Sequence, residues 1–226
     1  LQVLEWGTSW LDRILQRSGN STRAGSSLAN EAIERLTQDF PLPIVGFELA
    51  NLLAERLDCA RVAIGLADGL QVRLLALSHQ IRFDRRVNQV TEIEAAMEEC
   101  ADQATAIALP FSKGEDRRVS QAHAKVLHGQ GSSAICSVPL NRDERPVAVL
   151  TLVREGGRRF DAAAIDALTE MAGRLAPVLE LKRRESRSGV SKTMQGIAGQ
   201  ALKLTGGGHV RTKLIVAFAL AAIAGL

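Results

Sequence analysis

The polar stretch 78–89, SHQIRFDRRVNQ, gathers His79, Arg82, Arg85 and Arg86 around Phe83. Guanidinium groups pair bidentately with carboxylate or phosphate, and an aromatic ring adds a flat apolar surface. The segment has the chemistry to receive a small anion or a planar ligand. It equally has the composition of a solvated loop over a filled core. The three cysteines, Cys59, Cys100 and Cys136, are odd in number, widely spaced and without a CxxC pair. That argues against a disulfide framework and a zinc site, and it suits a reducing compartment. A reactive thiol needs an accessible, electropositive setting. Cys59 ends a helical pattern and Cys136 sits in an apolar strand pattern, so both read as core. His123 and His128 are five apart on a helical stretch, which turns them to different faces. An exposed pair is expected there, with no zinc. No Ser-His-Asp spacing, phosphate loop or paired-carboxylate site stands out. No catalytic residue or metal is indicated, the cofactor is left open, and the chain is read as a non-enzyme.

Composition sets the frame for these residues. The chain has 226 residues, 46% of them apolar, with 28 Lys and Arg against 25 Asp and Glu. That is enough for one real core with linkers, and too polar for a multi-span membrane protein. The basic excess is concentrated. Residues 182–213 hold eight cations (Lys182, Arg183, Arg184, Arg187, Lys192, Lys203, Arg211 and Lys213) against Glu185 alone, which leaves residues 1–181 net acidic. No aromatic residue is interleaved and no base-reading motif is present, so nucleic acid is not an expected partner. The final thirteen residues, LIVAFALAAIAGL, carry no charge and follow Arg211 and Lys213. At about 1.5 Å per residue they cover about 20 Å, two-thirds of a bilayer core. The expectation is the start of a transmembrane helix truncated at Leu226, with its basic flank on the cytoplasmic side. The alternative is a buried C-terminal core helix. No signal peptide is visible, and the start at Leu1 without a methionine reads as an internal boundary.

The periodicities that position these groups run as follows. Leu4, Leu11, Ile14 and Leu15, with Trp6 and Trp10, predict a helix over 1–17. SGNSTRAGSS (18–27) is a linker, and a short helix is expected near 30–38. Pro43 opens a helix lined by Val45, Leu49, Leu52, Leu53 and Leu57. RVAIGLA (61–67) and LQVRLLAL (70–77) flank Asp68-Gly69, a two-residue hairpin signal. Thr91 is placed as a helix cap with Ile93, Met97 and Cys100 inward and Glu92, Glu94, Glu98 and Glu99 outward. Glu94 stands at capping-box spacing from Thr91. A strand at 106–110 and a helix at 120–128 follow. SAICSVPL (133–140) and PVAVLTLVR (146–154) make a second hairpin around a polar turn, Asn141 to Arg145. Asp161 caps the last long helix. In that helix Ile165, Leu168, Ala172, Leu175 and Leu179 repeat at 3-4-3-4 spacing, a two-heptad seam, and Pro177 is expected to bend it. Hairpin-linked strands with helices between them make the class α+β, with a mainly antiparallel sheet.

The order and spacing of these elements from Phe47 to Leu181 resemble a GAF domain. The resemblance is carried by ELANLLAERLDCARVAIGLADG at the opening and CSVPLNRDERPVAVLTLVREGGRRFDAAAIDALTEMAGRLAPVLEL at the close. A narrower likeness, in LEWGTSWLDRIL, ALSHQIRFDRRVNQVTEIEAAMEECADQ, LAPVLELKRR and a Gly-rich stretch before one apolar run, is to the cytoplasmic N-terminal part of hemolysin D-type membrane fusion proteins, the periplasmic adaptors. The resemblance implies a small-molecule site between sheet and connecting segments. By position its residues would be Ser78, His79, Phe83, Arg85, Arg86, Asn88, Ile93, Met97, Cys136 and Ser137. The signature of cyclic-nucleotide GAF domains is missing, and Cys136 lacks the adjacent His of bilin-attaching ones. Some small GAF proteins reduce free methionine sulfoxide, which keeps a reductase among the alternatives. GAF domains also pair through terminal helices, which makes the Ile165–Leu179 seam a candidate homodimer contact.

The reading is therefore an N-terminal helix and linker over 1–40, a GAF-like domain over 41–184, a basic juxtamembrane linker over 185–209 and a transmembrane start over 210–226. The expected role is a non-catalytic sensory or protein-interaction module on the cytoplasmic face of a bacterial inner membrane. It would belong to an export adaptor, work as a homodimer and offer a site for a small anionic ligand. A ligand-sensing domain of a membrane-bound signalling protein is the alternative.

Overall fold

The computed structural model describes residues 26–69, 71–80, 88–111, 118–129 and 132–203, with side chains described as far as 187. The helix expected over 1–17, the transmembrane run, and Phe83, Arg85 and Arg86 lie outside these residues. No helix among the described residues is long and apolar enough to cross a membrane. The chain divides into two units, Leu1–Arg183 and Arg184–Leu226. The second is described as helix as far as Lys203, across most of the stretch read as a linker.

The described residues of the first unit open with a helix over 26–37 (α1). Pro41 and Pro43 then open α2, Leu42–Arg56, since proline suits a first turn whose N–H groups have no helical partner. The hairpin strands are β1, Arg61–Asp68, and β2, Gln71–Leu77, with Gly69 at φ +65° in the turn. Next come α3 (Asn88–Gln103), β3 (Ile107–Leu109) and α4 (Gln121–Gly129). The second hairpin is β4, Ala134–Arg142, with β5, Arg145–Arg154. Its turn is tighter than expected: Asp143 and Glu144 alone make it, both at positive φ, as a two-residue turn matched to strand twist requires. The last helix is α5, Ala162–Lys203. Asp161 Oδ1 accepts the Ala164 N–H at 2.8 Å, so the expected cap is present. Asp161→Ala should cost about 1 kcal/mol in urea unfolding.

All pairings are antiparallel, and the strand order is β2-β1-β5-β4-β3. Alternate strand residues serve opposite faces. Val62, Ile64, Cys136, Val138, Leu150 and Leu152 join one core, with α1, α2 and α5. Ala63, Val72, Leu74, Ile135, Val149 and Val153 join the other, with α3. With both faces covered, β4 and β5 read as nearly unbroken apolar runs.

The two-heptad seam is not free. Ile165, Leu168, Ala172, Leu175 and Leu179 are each at most 9% exposed in the single chain, within the first of these cores. These side chains, expected at a contact between two copies, are thus already covered within the single chain. A 3-4 repeat marks an apolar helix face, and a sheet covers such a face as well as a second helix does. The helix also runs on through Pro177, whose neighbours Ala176 and Leu179 are buried. Arg174 Nη2 donates to Asn30 Oδ1 and Lys182 Nζ to the Gln38 carbonyl, tying α5 to α1 and its exit.

Candidate functional site

The seven described residues among the ten implied by resemblance do not form one cluster. Ile93 and Met97 come from α3 and face the sheet. Ser137 follows the parity of Ile135 and points to that same side. Its Oγ lies 2.7 Å from Thr151 Oγ1, a buried pair between registered strand positions. Cys136, one residue away, belongs to the opposite core with α2 and α5. Ser78 is a buried backbone clamp: the Val62 N–H donates to its Oγ at 2.9 Å, and its own N–H donates to the Val62 carbonyl at 2.8 Å. His79 is exposed at φ 63°, with its N–H held by Asn51 Oδ1 at 2.8 Å. Asn88 is exposed at the first turn of α3.

Among the described residues, the side chains between α3 and the sheet are buried. Ile93, Met97 and Ser137 have no accessible surface, so none of them touches a space that would admit water. Gly65 explains how Met97 closes it. A Cβ at that position would sit 2.5 Å from Met97 Sδ and from Val72 Cγ1. Only glycine lets the thioether pack onto β1.

The polar work on this face is done by residues expected to point outward. Glu94 Oε1 accepts the Leu74 N–H at 2.8 Å, and Glu98 Oε1 accepts the Val72 N–H at 3.1 Å. These are donors of the edge strand β2, which needs partners it cannot find in the sheet. Glu94 thus serves β2, while α3 already begins at Asn88. Glu99 Oε1 accepts the Ala122 N–H and its Oε2 the His123 N–H, each at 3.2 Å. These are first-turn donors of α4, capped from another helix. The same Oε2 lies 2.6 Å from His123 Nδ1. His123 is fully buried, and its Nε2 has no partner. The exposed-pair expectation therefore holds for His128 and fails for His123, because five residues of helix carry one ring outward and the other inward. Glutamates at 94 and 98, one turn apart and bordering the apolar stripe, were the readable signal for this role.

The titration behaviour follows the packing. Burial pushes the His123 ring below its ordinary value, and Glu99 pulls it only partly back. Burial would raise the Glu99 carboxyl, but His123 and the two backbone N–H groups outweigh that and hold it below the usual range. Burial raises the Cys100 thiol. It raises Cys59 too, against the opposing pull of Arg154. Among the described residues, no group of three His, Cys, Asp or Glu side chains could hold a metal. A groove of ≈370 Å³ lies between α3 and α4, lined by Glu92, Glu99, Gln121 and Lys125 among others.

The profile of the GAF domain matches residues 47–179, more than half of the chain. The chain belongs to the GAF domain family. Its GAF fold is similar to that of the phosphoenolpyruvate-protein phosphotransferase GAF domain from Acinetobacter, at 13% identity and TM-score 0.53, covering 72% of this chain and 97% of that one. It is similar to free methionine-R-sulfoxide reductase from Neisseria meningitidis in complex with its substrate, at 15% identity and TM-score 0.51 over 71% and 91%. It is similar also to the phycoerythrobilin-bound GAF domain of a cyanobacterial phytochrome, at 15% identity and TM-score 0.51 over 72% and 97%. At such identities the likeness is one of fold. No curated protein sequence matches the chain significantly.

Proposed function

We propose that this GAF domain is a non-catalytic sensory or protein-interaction module. In this reading it sits on the cytoplasmic face of a bacterial inner membrane, anchored by the run 210–226, within an export adaptor of the hemolysin D type. The observation that carries the reading is the closed face under α3. Met97 fills the place beside Gly65, and the glutamates of α3 are engaged in backbone bonds. A domain so filled is better suited to presenting a surface to a protein than to holding a small molecule there. Cys59 and Cys100, buried and with raised thiols, speak against the reductase alternative. The eight cations over 182–213 and the uncharged run behind Lys213 support the anchor. A homodimer fits this reading only through a surface other than the Ile165–Leu179 side chains.

Thermal-shift screening of small anions separates the two readings. Under the interaction reading no anion stabilises the domain beyond a general salt effect. A stabiliser whose effect vanishes in Arg85→Ala or Arg86→Ala would establish the ligand-sensing alternative. A ligand held 100-fold above its dissociation constant would add about 2.7 kcal/mol. Methionine sulfoxide should not be reduced with a thiol reductant, and turnover abolished by Cys59→Ser or Cys136→Ser would overturn the non-enzyme reading. In cells, the 226-residue chain should sediment with membranes to a greater extent than residues 1–209 alone. Equal partitioning of the two forms would remove the anchor.

A further inference from the structure

Among the described residues, four large apolar side chains are exposed: Phe40 at 55%, Ile44 at 44%, Leu181 at 58% and Val119 at 59%. The first three stand at one end of the domain. Phe40 follows α1, and the Ile44 N–H donates to the Pro41 carbonyl at 2.9 Å as α2 makes its first turn. Lys182 Nζ donates to the Gln38 carbonyl at 2.8 Å, which holds the Leu181 turn of α5 against the same bend. Single exposed apolar residues are ordinary, but a group of them calls for a cover. The three together expose on the order of 300 Å², taking about 200 Å² for a fully exposed side chain of this size. That falls well short of the roughly 800 Å² each partner gives to a lasting contact between separate chains. A tethered cover is favoured instead, because linkage replaces contact area with effective concentration. Asp39, exposed beside Phe40, also disfavours an anionic membrane as the cover.

The chain carries a segment of matching chemistry. Residues 1–17 hold Leu4, Trp6, Trp10, Leu11 and Ile14, and their charges balance, Glu5 and Asp12 against Arg13 and Arg17. We propose that this N-terminal segment docks on the end of its own domain formed by Phe40, Ile44 and Leu181, with Trp6 and Trp10 lying over them. Its reach fits. The stretch 18–25 joins it to α1, and a flexible chain of that length spans about 16 Å, more than the roughly 8–10 Å between packed helices. Trp6 stands as far before Arg17 as Thr37 stands after Ser26, about 16 Å along a helix in each case. A helix folded back antiparallel to α1 therefore brings Trp6 level with Thr37, next to Phe40, and Trp10 one turn behind it.

Trp6 and Trp10 are the two tryptophans of a chain without tyrosine, so indole fluorescence reports on this segment alone. At an effective concentration of about 1 mM, a segment affinity of about 0.1 mM leaves roughly nine chains in ten docked. Acrylamide should then quench the full chain, held in neutral detergent, severalfold less than the same chain in urea. Phe40→Ser with Leu181→Ser should return quenching close to the urea value while the circular-dichroism melt stays cooperative. Val119→Ser, at the fourth exposed apolar residue, should change nothing. Full quenching in the parent chain, or shielding that survives the double serine variant, would overturn the docking; the second result would mean that detergent or another surface covers the indoles. Shielding that fades on dilution would give the site to a second copy and overturn it too. Should the double variant fail to fold, Ile44→Cys carrying a benzophenone decides, since the three native thiols are buried. In a mixture with isotope-labelled chain, photo-cross-links to a Trp6 or Trp10 peptide within one chain uphold the docking. Cross-links between chains, or none to residues 1–17, refute it.

Discussion

A chain carrying Leu168→Glu together with Leu175→Glu should fail to fold, rather than become a folded monomer. Leu168 and Leu175 are 4% and 1% exposed and lie in the core shared by α1, α2, α5 and the sheet. Truncating one buried leucine to alanine typically costs about 2–5 kcal/mol. A buried carboxylate adds desolvation that no partner there offsets. Two such changes reach about the whole stability of an ordinary domain, 5–15 kcal/mol. Circular dichroism should show no cooperative melt, and size exclusion an expanded or aggregated species. Asp166→Ala with Glu170→Ala, exposed positions on the same helix, should leave the melt nearly unchanged. A folded monomer from the double glutamate variant, alongside a dimeric parent chain, would restore the intermolecular seam and refute the packing described.

The sequence was most legible where a rule is local. Asp68-Gly69 forced a hairpin, Asp161 capped α5, and the apolar runs of β4 and β5 fell within two residues of their positions. It was least legible where meaning depends on a distant partner. Glu94, Glu98 and Glu99 look like a solvated helix face until β2 and α4 arrive with unpaired N–H groups. His123 looks like surface until Glu99 meets it. The heptad seam shows the same degeneracy, since an apolar stripe states that something covers it and not what does. The candidate ligand site fared similarly. Adjacent strand residues cannot line one pocket, so Cys136 and Ser137 could not both belong to it once β4 was covered on both faces. Gly65, the residue that lets Met97 fill the space, gave no motif to read; its significance lies in what stands opposite.

Glu99→Ala is expected to be the most damaging single change on the α3 side. It removes three hydrogen bonds at once and leaves His123 Nδ1 and two first-turn N–H groups of α4 without acceptors. Breaking a buried pair by deleting one partner costs about 3–5 kcal/mol, and the 10% exposure of the Glu99 side chain places it toward the lower end. Glu99→Gln keeps an acceptor for the backbone and should cost clearly less. Both shifts have the same sign in pH. The folded His123 ring titrates below its ordinary 6.5, so the unfolded chain binds the extra proton first, and stability falls as pH drops below that value. The folded Glu99 carboxyl titrates below its ordinary 4.5, so its contribution is whole above that value and is lost beneath it. Denaturant midpoints across pH 3.5–7.5, a window of about four units around these two ordinary values, should therefore decline in two stages toward acid. His123→Gln should remove the upper stage and leave the lower one weakened, since Glu99 then keeps only the α4 N–H groups. An unchanged upper stage in His123→Gln would show that the ring is not the group that senses the pH. Amide exchange adds the structural readout. Residues 121–129 should lose protection in Glu99→Ala before β4 and β5 do, because the carboxylate holds the start of α4 while the central strands are held by the sheet.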